Sequence, residues 1–495
     1  MSRRIPAQVV AEGDLLYAKQ PKVYPREIDG RFQRLRTAAV FWLLGMFYVF
    51  PWINWGGRQM VLFDLPARRF YVFGLTFWPQ DFYLLTLLLI TAAISLFFFT
   101  AVAGRLWCGF ACPQTVWTEV FLWMERWVEG DRNKRMKLDA APWTREKILK
   151  KTAKQALWIG FAAWTGFTFV GFFTPIRELA REIAALSLGG WEIFWIVFYG
   201  FATYGNAGYL REQVCKYMCP YARFQGAMFD RDTLIISYDP ARGEPRGGRK
   251  RSVPDVATRQ AALAAPLVAG EAAPAWPGAD SLGDCVDCEA CVQVCPTGID
   301  IRDGLQYECI ACAACIDACD AVMDKMNYPR GLIRYTTENM LLDGKPRRVL
   351  RPRTLIYGVI LSAVVAAFLI GVATRTPVLA EMMHDRNALF RETARGDIEN
   401  TYTVRLVNKT DAALELRPQV HADDDLAIED PRPLRLAPGE VSQLALTLRA
   451  PADKVEGKQA VELRFLDAEG RAVARARSHF FAPHEREHDD DHKRH

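Results

Sequence analysis

The runs C-V-D-C-E-A-C-V-Q-V-C-P (285–296) and C-I-A-C-A-A-C-I-D-A-C-D (309–320) decide the architecture of this chain. In each run, two residues separate three successive cysteines, and a fourth cysteine follows after three further residues. Three thiolates at this spacing can wrap one face of an iron–sulfur cubane, whereas the fourth reaches a partner cluster. The pattern therefore predicts two [4Fe–4S] clusters, one held by Cys285, Cys288, Cys291 and Cys319, the other by Cys309, Cys312, Cys315 and Cys295.

The alternatives for these eight cysteines are a zinc site and disulfide bonds. Zinc sites favour two C-x-x-C pairs with a longer gap rather than triplets, and a reducing cytosol disfavours disulfides. We therefore expect residues 284–340 to form a bacterial-type 2[4Fe–4S] ferredoxin domain of the α+β class. Asp320 stands where the first run has Pro296, a difference that is expected to alter the local turn without removing a ligand.

Five stretches without a charged residue indicate a multidomain membrane protein: 37–57, 82–104, 155–176, 193–210 and 354–374. A helix needs about 20 apolar residues to cross the hydrocarbon core, and helices of soluble proteins rarely run this far without a charge. The sequence therefore predicts an α-helical bundle of about five spans, with four in a membrane domain over 37–239 and the fifth at 354–374. The span 193–210 is the weakest, because Thr203, Tyr204, Asn206 and Gly208 dilute its end.

Basic residues near the span ends favour one orientation, because Lys and Arg are enriched in cytoplasmic loops. The connection 105–154 is rich in Lys and Arg, whereas 58–81 and 177–192 hold few of them. The N-terminal segment 1–36, which is polar and too long for a secretory signal, is then cytoplasmic. The segment 211–353 is cytoplasmic as well, and the C-terminal region lies in the periplasm if the membrane is the inner membrane of a Gram-negative bacterium.

Three further segments have their own character. Residues 240–283 are rich in Pro, Gly and Ala and are predicted to form a flexible loop. Residues 398–482 alternate apolar and polar residues between turn signals, which predicts an antiparallel β-sandwich. It lacks cysteine, so we interpret it as a binding or docking module. The tail 483–495 is interpreted as a solvated charged segment rather than a weak metal site, although it contains His484, His488, His492 and His495.

The four remaining cysteines form two copies of C-x-x-x-C-P, namely Cys108 with Cys112 and Cys215 with Cys219. Each copy follows a predicted span, so both are expected at the cytoplasmic membrane face. The proline suits the first turn of a helix, and thiolates are favoured at a helix N-terminus. If the two copies pack together, four soft ligands converge that can bind Cu(I), bind a further iron–sulfur cluster, or cycle between dithiol and disulfide.

Composition excludes other classes of function. The net charge is only +5 with both signs present, which does not indicate a nucleic-acid-binding protein. The first histidine is His384, so the predicted four-span domain cannot hold a haem b through two histidines. All twelve cysteines fall into ligand-like groups and none is left over. The pattern therefore indicates redox work at a membrane face by clusters, thiols, a bound metal or a quinone.

Four stretches closely resemble the CcoG/FixG family, also called RdxA: C-G-F-A-C-P-Q-T-V-W-T-E (108–119), C-K-Y-M-C-P-Y-A-R-F-Q (215–225), Y-D-P-A-R-G-E-P-R-G (238–247) and the run 315–337. This family contains polyferredoxin-like accessory proteins for the assembly of cbb3-type cytochrome c oxidase. The resemblance implies that the C-terminal β domain is immunoglobulin-like. It also implies a cupric reductase that converts Cu(II) to Cu(I) for delivery to the oxidase, with the C-x-x-x-C-P cysteines taking part in copper handling.

Cys108, Cys112, Cys215 and Cys219 are accordingly the predicted copper and redox site, and the predicted partners are copper ions, copper chaperones and the oxidase assembly machinery. Two other functions stay open. The protein would be a non-catalytic assembly scaffold or copper chaperone if it binds without turnover, or a quinol dehydrogenase, since related polyferredoxins share the C-x-x-x-C-P motif. The electron donor stays open as well, and a homodimer is compatible with the sequence.

Overall fold

The computed structural model describes residues 22–264, 281–410, 412–421 and 426–483. The histidine-containing tail from 484 onwards and most of the segment 1–36 lie outside the described residues. The chain divides into two compact units. The first unit draws on residues up to 52, 92–171 and 176–361, and the second on 53–91, 172–175 and the residues from 362 onwards. Each unit is described by itself.

Six of the helices are long. They are α1 (Arg31–Val49), α2 (Phe82–Ala103), α4 (Pro113–Glu129), α6 (Arg145–Val170), α8 (Gly190–Thr203) and α15 (Pro352–Ala373). All except α4 overlap a predicted span. Shorter helices are α3 (Leu106–Phe110), α5 (Arg132–Ala140), α7 (Ile176–Ala184), α9 (Pro220–Met228), α10 (Pro240–Gly243), α11 (Val256–Ala264), α12 (Ala290–Gln293), α13 (Ala314–Met326) and α14 (Glu338–Leu342).

Three helices of the described chain, rather than five, are long and apolar enough to cross a membrane: Arg31–Trp52, Pro79–Ala103 and Pro352–Ala373. Almost none of the apolar window of the last two is buried within the protein, with 6% and 0% covered. The predicted span 155–176 corresponds to α6, which starts with six charged residues in its first ten. The predicted span 193–210 is not one regular helix, because α8 ends at Thr203 and a π-helix, Tyr204–Leu210, follows.

Helices α6 and α8 pack backbone to backbone in the first unit. A Cβ atom on Gly166 would lie 2.2 Å from the carbonyl oxygen of Ile196, so only glycine permits this approach. Small residues let helices approach in this way inside membranes. The contact therefore places α8, which precedes the second C-x-x-x-C-P copy, directly against α6.

The cysteine-rich segment folds around a small core in the same unit. Strand β6 (Ile235–Tyr238) pairs antiparallel with β7 (Ile333–Thr336), and α13 packs beside them. The core contains Met323 and Leu332 together with Cys285, Cys291 and Cys319. Strand β6 lies outside the predicted range 284–340. The ferredoxin-like fold therefore also includes residues that precede the predicted loop 240–283. Asp320 accepts a hydrogen bond from the backbone N–H of Gly331 at 3.0 Å, which anchors the turn after α13.

The described part of the predicted flexible loop, 240–264 and 281–283, is partly helical. It contains α10 and α11, and it packs onto the first cysteine run. Arg242 forms an ion pair with the buried Asp284 at 2.6 Å. Arg249 donates a hydrogen bond to the carbonyl oxygen of Cys285 at 2.9 Å. The Gly and Pro residues thus turn the chain close to a core, and composition alone could not distinguish this from a loop.

The second unit contains a β-sandwich, as predicted. Its strands are β8 (Val378–His384), β9 (Arg391–Glu392), β10 (Asp397–Asn408), β11 (Leu414–His421), β12 (Ala427–Ile428), β13 (Leu434–Leu436), β14 (Val441–Pro451), β15 (Lys458–Leu466) and β16 (Ala472–Phe481). One sheet has the order β12–β14–β10–β8, with β9 beside β10, and the other has the order β13–β11–β15–β16. The predicted start at 398 is too late, because β8 and β9 precede it and pair with β10.

The same unit includes the short strands between α1 and α2: β1 (Asn54–Trp55), β2 (Arg58–Gln59), β3 (Val61–Asp64), β4 (Arg69–Val72) and β5 (Leu75–Phe77). A buried ion triad joins this segment to the sandwich. Asp81 lies 2.8 Å from Lys409 Nζ and 2.9 Å from an Arg375 guanidinium nitrogen. Arg69 also donates a hydrogen bond to the carbonyl oxygen of Gly439 at 2.7 Å. Buried charges of this kind are tolerated only when they are paired.

Candidate redox site

The eight cysteines of the ferredoxin segment surround two cavities. One cavity is lined by four cysteines, Cys285, Cys288, Cys291 and Cys319. The other is lined by Cys295, Cys309, Cys312 and Cys315, together with Cys291. The fourth cysteine of each run therefore lies with the first three of the other run, which are the two sets that the spacing groups together. Four thiols around each cavity match the ligand set of a [4Fe–4S] cluster.

The two runs share an unusual backbone that turns their thiols inward. Asp287 and Glu289 have φ angles of 54° and 55°, and the equivalent Ala311 and Ala313 have 54° and 62°. Residues other than glycine pay an energetic cost in this left-handed region. Such conformations persist where the surrounding structure or a bound group determines them. The repeated strain is thus a structural signature of two similar binding loops.

Burial controls the charge on these thiols. It raises the pKa of Cys291, Cys309 and Cys319 to about 12, and neighbouring cysteines raise it further. Low-dielectric surroundings disfavour a bare thiolate. Burial thus favours the neutral form of these three thiols, and metal binding has to displace their protons. This is the behaviour expected of cysteines that serve as ligands rather than as exposed nucleophiles.

The two C-x-x-x-C-P copies form matching helix starts, as the prolines predict. Cys112 is the N-cap of α4 with Pro113 in its first turn, and Cys219 is the N-cap of α9 with Pro220 in its first turn. Cys108 lies in α3, and its equivalent Cys215 lies in a second π-helix, Val214–Met218. The two copies thus share a cysteine N-cap followed by proline. They differ before the cap, where the first copy has the α-helix α3 and the second has a π-helix.

These four cysteines, which we call the membrane-face thiols, come together in the first unit. Burial, followed by repulsion from Cys112, raises the pKa of Cys108 to about 11. Burial, followed by repulsion from Cys112, Cys108 and Cys219, raises the pKa of Cys215 to about 12. Among the described residues, no group of three or more His, Cys, Asp or Glu side chains is arranged to hold a single metal ion.

At Cys112, the structure does not favour the thiolate that was expected at the helix N-terminus. Backbone N–H groups of Gln114 and Thr115 do lower the pKa of Cys112, but burial raises it by more. The helix terminus therefore reduces the energetic cost of a charged thiolate without removing it. A bound cation has to supply the rest, as at other buried thiol sites.

The membrane-face thiols touch the second ferredoxin run directly. A Cβ atom on Gly109 would lie 2.8 Å from the carbonyl oxygens of Ile310 and Ala311 and from the Cα of Cys312. Cys108 and Cys215 also pack against the buried apolar group that contains Ile310 and Cys312. One glycine of the first C-x-x-x-C-P copy therefore allows the two cysteine systems to meet at backbone distance.

Arg105 holds this junction together and was missed by sequence reasoning. Its side chain is 6% exposed. It donates hydrogen bonds to the carbonyl oxygens of Tyr307 and Cys309 in the ferredoxin segment and, at 2.7 Å, to Ala222 in α9. Its positive charge also lowers the pKa of Cys108, Cys215 and Cys309, although burial outweighs it there. Its place three residues before Cys108 was the only available signal.

Basic residues of the 105–154 connection are partly buried as well. Arg135 and Lys154 are 1% and 5% exposed, and they pair with the buried carboxylates of Glu125 and Glu129. Arg211 also pairs with Glu125, at 2.7 Å. The sequence indicated only a cytoplasmic charge excess here. In the structure, these charges form an ion network that fixes α4 and α6 next to the membrane-face thiols.

Three family models match the chain, in the two cysteine-containing regions and in the β-sandwich. A 4Fe-4S dicluster domain matches residues 210–338. A 4Fe-4S binding domain matches residues 85–135, which contain Cys108 and Cys112. An IG-like fold at the C-terminal of FixG matches residues 368–483. The models therefore support iron–sulfur chemistry in the first unit and an immunoglobulin-like sandwich in the second.

Curated relatives cover most of the chain. The nitrogen fixation protein FixG of Rhizobium meliloti is 41% identical over 429 residues, which cover 79% of this chain and 78% of the relative. Protein RdxB of Cereibacter sphaeroides is 41% identical over 83% of this chain and 84% of its own length. Protein RdxA of the same organism is 35% identical over 83% and 87%.

A solved structure is similar to a smaller part. The crystal structure of a FixG-related protein from Vibrio parahaemolyticus shares 28% identity, with a TM-score of 0.20. It covers 22% of this chain and 98% of the solved chain.

Proposed function

Because this chain belongs to the FixG/RdxA family, we propose that its iron–sulfur redox chemistry serves to reduce Cu(II) to Cu(I) at the membrane-face thiols. The Cu(I) would support copper delivery to a cbb3-type cytochrome c oxidase and the assembly of that enzyme. The observation that carries this proposal is the contact of Gly109 with the Ile310–Cys312 loop, which joins four soft ligands to a ferredoxin-type site.

The ferredoxin segment has the residues to hold two clusters. Bound [4Fe–4S] clusters would supply one-electron carriers, held by the two sets of four cysteines described above. The loops around them exclude water, since Cys312 and Cys319 are buried and the cavities have mainly apolar walls. A water-poor site next to the membrane-face thiols suits electron transfer over a short distance.

The membrane-face thiols suit copper as a substrate. Each Cu(II) ion takes up one electron and becomes Cu(I), which prefers soft thiolate ligands. Cys108, Cys112, Cys215 and Cys219 would hold the ion, and the protons that copper binding displaces from thiols would pass to solvent. Preference for the reduced ion would favour reduction over simple storage of Cu(II).

We place the protein in a bacterial inner membrane with five crossings, including α6 and the irregular helix formed by α8 and the π-helix. The ferredoxin segment would be cytoplasmic and the sandwich periplasmic. The ion triad of Asp81, Lys409 and Arg375 supports this arrangement, because it joins the 53–81 segment to the sandwich on one side. The contact of both C-x-x-x-C-P copies with the ferredoxin segment supports a common location for these parts of the first unit.

The test uses the purified full chain with chemically reduced clusters, and it follows the formation of a Cu(I)–chelator complex under excess reductant. The double variant Cys108→Ser/Cys215→Ser is expected to lose at least about tenfold in rate, since two of four soft ligands are gone. Tyr217→Ser is the matched control, because this exposed side chain lies between Cys215 and Cys219 along the chain. Equal rates in all three proteins, or a single turnover only, would contradict the proposal and favour a scaffold or chaperone.

A further [4Fe–4S] cluster is the second candidate for the membrane-face thiols. It is favoured by the match of residues 85–135 to a 4Fe-4S binding domain, although that region contains only Cys108 and Cys112. Iron analysis of the anaerobic protein distinguishes the two. Two clusters give about 8 iron atoms per chain and three give about 12, and the surplus should vanish in the double variant.

A further inference from the structure

A cavity of about 220 Å³ opens beside the second ferredoxin run, on the side of Cys309. Its walls are largely apolar and include Phe229, Leu234, Ile236 and Leu305. Leu305 and Tyr307 are 52% and 39% exposed, so apolar surface continues to the rim. A concave apolar cavity with a few convergent polar groups is the usual form of a small-molecule site.

Arg105 supplies the polar group in this cavity. Its guanidinium carbon lies 4.9 Å from the centre of the Tyr307 ring and 5.9 Å from that of Phe229. Its Nε is buried and has no hydrogen-bond partner among the described residues. A buried donor without a partner is costly, so a ligand oxygen that accepts from it would be stabilised. The two rings add aromatic surface for a flat ligand.

The residues that line the cavity indicate which kind of ligand it can bind. Arg105 comes two residues after Ala103, the last residue of the apolar helix α2. Because Arg105 lines the cavity, the cavity lies next to the end of this candidate membrane span. Cys309, a proposed cluster ligand, forms part of its wall. A ligand here would reach the site from the membrane and would lie next to a redox centre.

We propose that this cavity binds the head group of a lipid-soluble quinone, with a carbonyl oxygen accepting a hydrogen bond from Arg105 and the ring lying near Tyr307 and Phe229. This inference rests on the proposed function, for which it names the electron donor. One quinol loses two electrons and two protons and becomes a quinone. The two electrons reduce two Cu(II) ions to two Cu(I) ions, and the protons pass to water.

The experiment blocks the cavity and leaves the cysteines untouched. Gly226 lines the cavity on α9, and a Cβ there would meet no atom within 4 Å, so Gly226→Phe can be accommodated and adds a bulky ring at the cavity wall. Gly160→Phe is the matched control, because this exposed glycine of α6 also has open space and lies away from the cavity. Full-length protein in lipid nanodiscs is reduced with dithionite, freed of excess reductant and mixed with decyl-ubiquinone.

Cluster reoxidation is followed by electron paramagnetic resonance, and it is expected to slow at least about tenfold in Gly226→Phe but not in Gly160→Phe. In a separate measurement without turnover, an azidoquinone photoprobe should label the peptide that contains Leu305 and Tyr307, and Gly226→Phe should abolish the label. Equal reoxidation rates in all three proteins, or labelling elsewhere, would overturn the assignment.

The same proteins separate this inference from the proposed function. Copper reduction driven by dithionite bypasses the cavity, so it should be unchanged in Gly226→Phe. If wild type reoxidises with quinone through the cavity and yet reduces no copper, the proposed function fails and the quinone site stands. If copper is reduced, and Gly226→Phe changes neither the reoxidation rate nor the photoprobe labelling, the quinone site is wrong and the proposed function stands.

Discussion

The two cysteine systems of the first unit are built in opposite ways. The ferredoxin segment gathers eight cysteines within 285–319, and tight loops with left-handed residues such as Glu289 and Ala313 aim them inward. The membrane-face thiols come from copies more than a hundred residues apart, at Cys108 and Cys215. In each copy the second cysteine lies at a helix start, and no residue between the first and second cysteine of a copy has a positive φ.

This difference separates a local site from an assembled one. Spacing alone determines which thiols can share a cluster in the ferredoxin segment, because each loop spans only a few residues. The membrane-face thiols depend instead on helix packing, on the ion network around Glu125, and on the contact between Gly109 and the second run. We therefore expect the two systems to respond differently to equivalent changes.

The largest expected effect comes from replacing one cysteine of each system by serine and comparing iron content and copper reduction. Cys312→Ser removes a buried member of the second ferredoxin set and is expected to lose about half of the iron of that segment, about 4 atoms per chain. Because Gly109 rests on this loop, copper reduction should fall with it. Cys112→Ser should keep the ferredoxin iron and lose only the copper step. Iron analysis and the Cu(I)–chelator assay measure both.

The outcome also bears on what the membrane-face thiols hold. Loss of about 4 iron atoms in Cys112→Ser would mean that a third cluster occupies them. Loss of all iron would mean that the assembled site supports the fold of the ferredoxin segment, and the distinction between local and assembled sites would be wrong.

Much of this organisation could be predicted from local pattern. The spacing of the eight cysteines, the helix starts at Pro113 and Pro220, and the alternation in the sandwich each follow from a few neighbouring residues. They depend on periodicity and on turn chemistry, which a single sequence displays. The cysteine grouping needed no knowledge of tertiary contacts.

The rest depends on contacts between distant parts of the chain. The burial of Arg105, Arg135 and Lys154 could not be predicted, because hydropathy treats every basic residue as solvent-exposed. The helical order in 240–264 comes from packing against Cys285 and Asp284, which composition does not display. The break after Thr203 is a π-helix, where the backbone departs from the period that a span prediction assumes.

Adding one methyl group at Gly109 tests the contact between the two cysteine systems. Gly109→Ala places a Cβ about 2.8 Å from three backbone atoms of the Ile310–Cys312 loop, so the two systems have to move apart. Electron transfer to copper is expected to slow by about tenfold, while each system keeps its metal. Gly45→Ala in α1 is the control, because a Cβ there meets nothing within 4 Å. Unchanged copper reduction in Gly109→Ala would show that electrons do not need this contact.

The smallest expected effect tests the strain that only the local site carries. Glu289 is exposed with φ +55°, so Glu289→Gly relieves the left-handed penalty without creating a cavity. The gain is partly offset by the greater freedom of glycine in the unfolded chain, which leaves about 0.5 kcal/mol of stabilisation. Glu308→Gly, in the same segment but without a positive φ, should instead destabilise by a similar amount. The rate of cluster loss in urea, followed by bleaching of the visible absorbance, measures both. If both variants lose clusters faster than wild type, the left-handed loops are not strained, and the contrast with the membrane-face thiols rests on spacing alone.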